Sequence, residues 1–249
     1  MQLHRTESRT WLSNAYLLDD GSGTGLLIDG NGVAAPLLET VEQRGLDVPV
    51  VLLTHHHVDH VVIDAYRPLG AKVLAHPLTA SELQGTVDGE LTDGEVLRVG
   101  KLAIECCHTP GHAHGHLAFL VDGRDVFTAD VLFRGTVGGT RAPQATGLAD
   151  LRRSLDRLLA LPPETRVHPG HREPTTIGDE LAHNPFVRAL RADVTPDATA
   201  CTVAGEPAQL LLWGPDYDGT NKAWVRFDDG EEAIVGGSQV TRSSTRAEL

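Results

Sequence analysis

Apolar segments of strand length alternate with helical patterns over the first 190 or so residues of the chain. Trp11–Asp19 and Gly25–Asp29 flank a Gly/Ser turn, which predicts an opening β-hairpin. Val33–Arg44 repeats apolar residues at helical spacing, and a continuous apolar segment, Val48–Thr54, then reads as a buried strand. Hairpins and strands interleaved with helices in this way predict a layered α/β architecture.

The same alternation continues along the chain. Further strands are predicted at Lys72–Ala75, Leu102–Cys107, Leu117–Val121 and Val126–Ala129. A helix is predicted from about Thr79, and the clearest helix spans Leu148–Leu161, where leucines form one stripe opposite arginines and aspartates. Pro162-Pro163 ends that helix because proline cannot continue the backbone hydrogen bonding.

After about residue 193 the pattern contains short strands only. Strands are predicted at Ala208–Trp213, Ala223–Phe227 and Glu232–Val235, the last two joined by an Asp229-Gly230 turn. We therefore predict one larger domain over residues 1–192, a linker over Ala192–Gly205, and a small β-rich domain of unknown role over residues 202–249.

Aromatic residues of this tail, Trp213, Tyr217 and Trp224, resemble the aromatic core of Tudor- or KOW-like barrels. Core packing is the favoured role for them, with ligand recognition as the alternative. The tail contains no histidine, so we expect any metal site to be completed without it.

Composition and charge narrow the function classes. The 249-residue chain has a formal net charge of −13, which disfavours nucleic acid and anionic membrane surfaces as partners and favours a small-molecule substrate. No apolar run approaches the roughly 18 residues that span a bilayer, and Met1–Trp11 lacks a signal core, so we predict a cytoplasmic protein. The sequence leaves open whether the chain forms a homo-oligomer.

A histidine cluster follows the predicted strand Val48–Thr54. In extended backbone, residues two apart point the same way, so His55 and His57 can share one metal ion while His56 faces solvent. Asp59 and His60 enter the following turn, where they can face a second ion.

Three more motifs each place one candidate ligand directly after a predicted strand. They are His108-Thr109-Pro110-Gly111-His112, Phe127-Thr128-Ala129-Asp130 and Val167-His168-Pro169-Gly170-His171. Loops at strand ends are where a rigid sheet can hold functional side chains.

In this order the four motifs resemble those of the metallo-β-lactamase superfamily, and specifically its glyoxalase II-like (hydroxyacylglutathione hydrolase-like) branch. The resemblance covers roughly Leu12–Arg188 and implies a four-layer αββα fold, here with a small C-terminal β-rich, Tudor/KOW-like extension. It also implies two metal sites. One would be formed by His55, His57 and His112, the other by Asp59, His60 and His171, with Asp130 bridging both.

The chemistry implied by this resemblance is hydrolysis. Imidazoles and carboxylates suit two zinc ions, with iron or manganese as alternatives. A hydroxide shared by two cations forms at neutral pH because the metals lower the pKa of water from about 15.7 towards about 7. It would attack an ester-like carbonyl, with a thioester as the first choice, and Asp59, His60 and Asp130 would be the catalytic residues.

Other functions stay open at this stage. A lactonase or another esterase would use the same residues, and an iron-dependent persulfide dioxygenase resembles the same branch with one iron. A non-catalytic, metal-stabilised interaction protein is the alternative outside enzymes. The sequence also departs from the family where relatives carry Gly-Arg-Thr-Asp, since this chain reads Gly138-Gly139-Thr140-Arg141.

Four further side chains near the motifs have two interpretations each. Cys106 and Cys107 precede His112 on a strand, and core packing is favoured over metal ligation. Arg134 and Arg141 would either clamp an anionic substrate or remain solvated.

Overall fold

The computed structural model describes residues 1–192 and 197–242. The first half of the chain forms β1 (Gln2–Glu7), β2 (Asn14–Asp19), β3 (Gly25–Ile28), β4 (Gly30–Asn31), α1 (Ala35–Arg44), β5 (Val50–Leu52), β6 (Val61–Val62), a 3-10 helix (Asp64–Leu69), β7 (Lys72–Ala75), α2 (Pro77–Glu82), β8 (Gly89–Glu90) and β9 (Val96–Val99). The next part forms β10 (Leu102–His108), β11 (Leu117–Val121), β12 (Asp125–Ala129), β13 (Leu132–Phe133), β14 (Thr136–Val137), α3 (Leu148–Leu159), β15 (Arg166–Pro169), β16 (Thr175–Thr176), α4 (Ile177–His183) and α5 (Pro185–Arg191). The tail forms β17 (Thr199–Val203), β18 (Glu206–Pro215), β19 (Asn221–Phe227), β20 (Glu232–Gly236), a 3-10 turn (Gly237–Gln239) and β21 (Val240–Arg242).

Two six-stranded sheets form the centre of the molecule. Their strand orders are β1-β2-β3-β5-β7-β8 and β16-β15-β12-β11-β10-β9. One apolar cluster lies between them, with Leu26 and Leu52 from the first sheet and Ile104 and Phe119 from the second. The sheets therefore face each other across a shared core.

Helices cover the outer faces of both sheets. Leu37 and Val41 of α1 pack on the first sheet, in one cluster with Val51. Leu151 of α3 and Phe186 of α5 belong to the cluster on the outer face of the second sheet. This arrangement is the predicted four-layer αββα fold, in which each sheet buries both faces.

The tail is a five-stranded antiparallel sheet with the order β20-β19-β18-β17-β21. Its last strand returns to pair with its first, with Val203 opposite Val240. Val203, Val225 and Phe227 belong to an apolar core of its own. The predicted β-rich extension is thus confirmed, and its strand order is that of a small, partly open barrel.

The predicted linker over Ala192–Gly205 is wrong over Thr199–Val203, which forms β17 and pairs with β18 and β21. Small polar residues obscured the alternation there, although Cys201 and Val203 are buried. Residues 193–196 of that linker and 243–249 of the predicted β-rich domain lie outside the described residues.

The tail packs directly on the αββα part. Leu211, Trp224 and Ile234 belong to the same apolar cluster as α3 and α5. Burying a side chain such as Leu211 or Ile234 contributes about 1.5–3 kcal/mol each. Thr140 adds polar contacts, because its N–H donates to Ile234 O at 2.9 Å and its hydroxyl oxygen accepts from Ile234 N at 2.9 Å. The tail is therefore fixed in place.

Strand β1 lies at the edge of the first sheet. The hydrophobic pattern did not predict this strand, which pairs with β2. Within residues 1–192 and 197–242, no helix has both the length and the apolarity needed to cross a bilayer.

Candidate metal centre

All seven predicted ligands meet at one edge of the two central sheets. His55, His57, Asp59 and His60 follow β5, His112 follows β10, Asp130 follows β12 and His171 follows β15. Strands β12 and β15 are parallel neighbours, so Asp130 and His171 emerge side by side. Loops that are distant in sequence thus deliver their side chains to one place.

The first cluster consists of His55, His57, His112 and Asp130. His57 Nδ1 lies 3.1 Å from His55 Nε2 and 2.9 Å from His112 Nε2. The Asp130 Oδ2 atom lies 3.4 Å from His112 Nε2. Three ring nitrogens and one carboxylate oxygen therefore surround a common point.

The second cluster consists of Asp59, His60 and His171. The Nε2 atoms of His60 and His171 are 3.4 Å apart, and Asp59 Oδ2 lies 3.6 Å from the former and 3.4 Å from the latter. Asp130 reaches this cluster too, with Oδ1 at 3.4 Å from His60 Nε2 and Oδ2 at 3.4 Å from His171 Nε2. The carboxylate of Asp130 thus lies between both clusters.

Hydrogen bonds on the far side of the rings fix how the histidines point. The Nδ1 atoms of His112 and His171 lie 2.9 Å from Gly139 O and 3.0 Å from Trp11 O. Because a carbonyl oxygen accepts only, each Nδ1 carries the proton, and each Nε2 presents its lone pair to the cluster.

Asp29 orients the remaining part of the centre. Its Oδ2 atom lies 3.0 Å from His60 Nδ1 and accepts the Thr54 hydroxyl proton at 2.7 Å, while Oδ1 accepts from Thr54 N at 2.8 Å. The Thr54 hydroxyl oxygen lies in turn 3.0 Å from His55 Nδ1. One buried carboxylate therefore orients a histidine of each cluster, directly for His60 and through Thr54 for His55.

Burial and charge set the protonation of these groups. Burial lowers the pKa of His112 to about 4, and burial together with the charge of His60 lowers the pKa of His55 well below its ordinary value. Burial disfavours charge on His60 as well, but Asp130 and Asp29 raise the pKa of that imidazole well above its ordinary value. Neutral imidazoles are the form that metals bind.

The carboxyl of Asp130 remains ionised in this setting. Burial raises the pKa of Asp130, but the imidazoles of His171 and His60 hold that pKa well below its ordinary value. Its Oδ1 atom is buried and makes no hydrogen bond to any of the described residues. A buried anionic oxygen without a hydrogen-bond donor carries a large desolvation cost, which a cation removes.

Glycine leaves the space that these side chains need. A Cβ added at Gly170 would overlap Asp130 Oδ1 and lie 3.0 Å from His60 Cε1. Gly138 is equally restricted, because a Cβ there would overlap the main-chain oxygen of Asp130. The residues therefore fit a pair of metal ions in donor chemistry and in space.

Comparison with known proteins agrees with this geometry. The family model described as "Metallo-beta-lactamase superfamily" matches residues 9–62 and 64–171, which include every proposed ligand. The chain belongs to the metallo-β-lactamase superfamily. A hydroxyacylglutathione hydrolase from Cereibacter sphaeroides is 32% identical over 237 residues, covering 79% of this chain and 90% of the relative. The similarity to this relative agrees with the predicted resemblance to the glyoxalase II-like branch of the superfamily.

Two solved structures extend the comparison. ETHE1 from Myxococcus xanthus has a TM-score of 0.69 at 29% identity, covering 76% of this chain and 85% of its own. TTHA1623, solved in a di-iron-bound form, has a TM-score of 0.65 at 37% identity, covering 74% and 99%. Both the His/Asp clusters and the di-iron relative support a dinuclear metal centre, and neither identifies its metal.

Other predicted candidates lie outside the two clusters of this superfamily member. The prediction that His56 faces solvent is wrong for its ring nitrogens, which are buried without a hydrogen-bond partner in the described part of the chain, since the ring packs beside His57 and His114. Cys106 and Cys107 are buried core residues, as favoured.

The two arginines differ from each other. Arg141 stacks over the Phe227 ring of the tail, 4.4 Å from its centroid, and lies 3.7 Å from Glu206. Arg134 lines a cavity of about 630 Å³ with Arg166 and His168, away from the seven ligands. Neither arginine is placed as a clamp at the metal centre.

The aromatic residues of the tail separate into two groups. Trp224 is buried in the cluster with α3 and α5, which agrees with core packing. Tyr217 instead stacks on His171, with ring centroids 4.2 Å apart and planes at 18°. Burial, and then the charge of Asp130, raise the pKa of Tyr217 above its ordinary value, so its hydroxyl stays protonated.

Three further residues neighbour the ligands: sequence reasoning did not single out Asp29, and it favoured ordinary hydrogen bonding for His116 and core packing for Tyr217. His116 Nε2 accepts a hydrogen bond from Asp130 N at 3.2 Å, and its Nδ1 lies 2.8 Å from the Thr109 hydroxyl. A weak local signal existed for Asp29, which ends an apolar strand before Gly30 and has a φ of 57°. The residues around Tyr217 give no sign that its ring reaches His171.

Proposed function

We propose that this protein hydrolyses an ester-like carbonyl of a small molecule, with a thioester as the first choice, using two metal ions. The observation that carries the proposal is the position of Asp130, whose Oδ2 lies 3.4 Å from an Nε2 atom of each cluster. A carboxylate shared in this way suits two cations at once and lowers their mutual repulsion.

Each of the two clusters would hold one metal ion. His55, His57 and His112 would hold one ion, Asp59, His60 and His171 the other, and Asp130 would bridge them. When bound, the ions would lower the pKa of water and polarise the carbonyl oxygen. Zinc is the proposed metal, with iron or manganese as alternatives for the same donors.

The chain's own groups would orient the reaction. Asp59 and Asp130 are the two carboxylates that face the reacting centre, and we propose that Asp59, Asp130 and His60 are the catalytic residues. Attack of water's oxygen on the carbonyl carbon would break the C–S bond, giving a carboxylate and a thiol. Asp29 would keep His60 oriented throughout, because both of its oxygens are already held by hydrogen bonds.

The test is metal analysis combined with a substrate panel of thioesters, lactones and persulfides. We expect about two metal ions per chain and release of thiol from thioesters, detected with a chromogenic thiol reagent. Asp47→Ala, a change at an exposed aspartate outside the site, serves as the control.

Each contrary result identifies an alternative function. Faster lactone than thioester hydrolysis would make the protein a lactonase. A single iron per chain with sulfur-dependent oxygen uptake would indicate persulfide oxidation instead of hydrolysis. A fully metallated protein without turnover of any of these compounds would favour a metal-stabilised interaction protein.

A further inference from the structure

The loop between β18 and β19 brings a residue of the tail to the metal centre. Tyr217 in this loop lies with its ring 4.2 Å from the His171 ring and 5.0 Å from the Phe133 ring, measured between centroids. Phe133 belongs to the αββα part and also contacts His171, at 5.8 Å. The tail therefore forms part of the wall around the second cluster.

Polar contacts hold the Tyr217 loop firmly. Arg172 Nε donates to Tyr217 O at 3.3 Å, and Tyr217 N donates to Asp216 Oδ1 at 2.8 Å. Asp216 Oδ1 also lies 2.9 Å from Lys222 Nζ, and this buried ammonium donates to Val137 O at 2.8 Å. A buried, paired charge at this point fixes the loop against the αββα part.

The exposed part of the Tyr217 ring has the properties of a contact surface. Its hydroxyl makes no hydrogen bond to residues 1–192 or 197–242, and the side chain is only partly buried. Trp11 contacts His171 through its main chain, because its carbonyl oxygen lies 3.0 Å from His171 Nδ1, and the residue is 39% exposed. The ring of Tyr217 is therefore the aromatic surface of the tail that lies against this ligand.

The charged residues of the same loop disfavour anionic substrates. Asp218 is exposed one residue beyond Tyr217, whereas the nearby Lys222 is buried and already paired with Asp216. An anionic group placed against this wall would meet carboxylate without a free ammonium. An uncharged, flat apolar group would instead stack on the aromatic ring.

We propose that Tyr217 contacts the substrate and makes the centre select uncharged acyl groups with an aromatic or apolar part over anionic ones. This inference rests on the proposed hydrolysis for its reaction and on the ring geometry for its selectivity. It assigns to the tail a specific role, which is to supply one wall of the acyl pocket.

The experiment compares Tyr217→Ala and Tyr217→Phe with the unmodified protein. The substrates are thioesters of one uncharged thiol that carry a phenylacetyl, an acetyl or a succinyl group. For phenylacetyl, we expect kcat/KM to fall roughly 10-fold or more in Tyr217→Ala and less in Tyr217→Phe. The kcat/KM for the acetyl thioester should change little in either variant. The succinyl thioester should be the poorest substrate of the unmodified protein.

Binding supplies a readout that is independent of turnover. Phenylacetate, acetate and succinate are titrated calorimetrically into the metal-loaded proteins, and metal content is measured in each. Tyr217→Ala should weaken phenylacetate binding selectively and keep its metal. Asp228→Ala, an exposed change elsewhere in the tail, should behave like the unmodified protein.

The outcomes separate the two proposals. If no thioester is hydrolysed but phenylacetate binding still depends on Tyr217, the proposed function fails and the acyl pocket stands. If Tyr217→Ala lowers activity equally for all three acyl groups or loses metal, Tyr217 only supports His171 and the pocket proposal is overturned. Unchanged kinetics and binding would overturn it as well.

Discussion

The two ligand clusters are built from similar side chains but held by different surroundings. In the first cluster, the rings of His55 and His112 are oriented by a hydroxyl and a main-chain carbonyl. In the second, His60 is oriented directly by the carboxylate of Asp29, and His171 packs against Tyr217 of the tail. The second cluster thus has a buried carboxylate in direct contact with a ligand and borders a second structural unit, whereas the charge of Asp29 reaches the first cluster only through the Thr54 hydroxyl.

Similar ligands in the two clusters need not have similar metal affinities. An uncharged partner leaves an imidazole neutral, whereas a carboxylate partner favours its charged form in the metal-free protein. We therefore expect the second cluster to bind its ion more weakly at low pH and to respond more strongly to changes outside the ligand set.

The largest effect should follow Asp130→Ala, which affects both clusters at once. The change takes a ligand from both clusters and leaves two cations without the shared negative charge. We expect loss of both metals, together with an activity loss of several orders of magnitude, measured by metal analysis and thioester hydrolysis. The Asp47→Ala control should keep both metals, and an Asp130→Ala protein with full metal content would contradict the bridging role.

His171→Ala should separate the clusters. Because His171 contributes only to the second cluster, we expect that site to empty while the first remains largely filled, with activity reduced by orders of magnitude. His112→Ala should show the opposite pattern and empty the first site. The measurement is metal stoichiometry by mass spectrometry of the native protein. Equal metal loss in both variants would show that the sites are not separable.

Asp29→Asn should weaken the second cluster without touching a ligand. Asparagine tolerates the positive φ of 57° at this position, so the backbone is preserved while the charge behind His60 is lost. We expect metal affinity to fall about 10- to 100-fold, as is usual for a partner of a ligating histidine. Competition with a chromogenic chelator measures the change, with Asp47→Asn as control. A larger effect on the first site would contradict the direct contact with His60.

The smallest expected effect is the release of protons when the metal ions bind. Since Asp130 and Asp29 raise the pKa of His60 in the metal-free protein, we expect this imidazole to carry a proton that is released when an ion binds. His112, with a pKa of about 4, is already neutral there. Calorimetric titrations in two buffers of different ionisation enthalpy should therefore show about one proton released per ion at the second site and few at the first. Equal release at both steps would contradict this assignment.

The same shift has a consequence for the metal-free protein. A raised folded-state pKa means that the His60 ion pair stabilises the fold below the ordinary histidine pKa of 6.5, and that this stabilisation disappears as pH rises through the raised value. Added metal should have the opposite dependence, stabilising more as pH rises. Thermal unfolding with and without metal, followed over pH, tests both directions.

Much of the site was predictable because its signals are local. His55, His57, Asp59 and His60 lie within six residues at the end of an apolar strand, and spacing alone indicates which ones converge. A layered α/β architecture was predictable for a similar reason, since helices such as α3 carry a single apolar stripe that must face a sheet, whereas the four-layer order was implied by the superfamily resemblance. The superfamily resemblance then ordered the distant motifs.

The features that the sequence did not reveal depend on contacts between distant segments. Asp29 approaches His60 across 31 residues, and Tyr217 approaches His171 across loops of two structural units. Strand β17 was mistaken for linker because Thr199–Val203 is weakly apolar, and its pairing with β18 and β21 decides its conformation. Tertiary context therefore outweighed local preference at these positions.

The pairing of Thr140 with Ile234 carries a consequence for how such a protein diversifies. Every proposed ligand is encoded before residue 172, whereas the ring that walls the second cluster is encoded in the C-terminal segment. Recombination that replaced this segment would change substrate preference in one event and leave the reaction chemistry intact. The incoming segment would have to present a strand edge to Thr140 and an apolar face to α3 and α5. Few replacement segments would meet both requirements and give a stable protein.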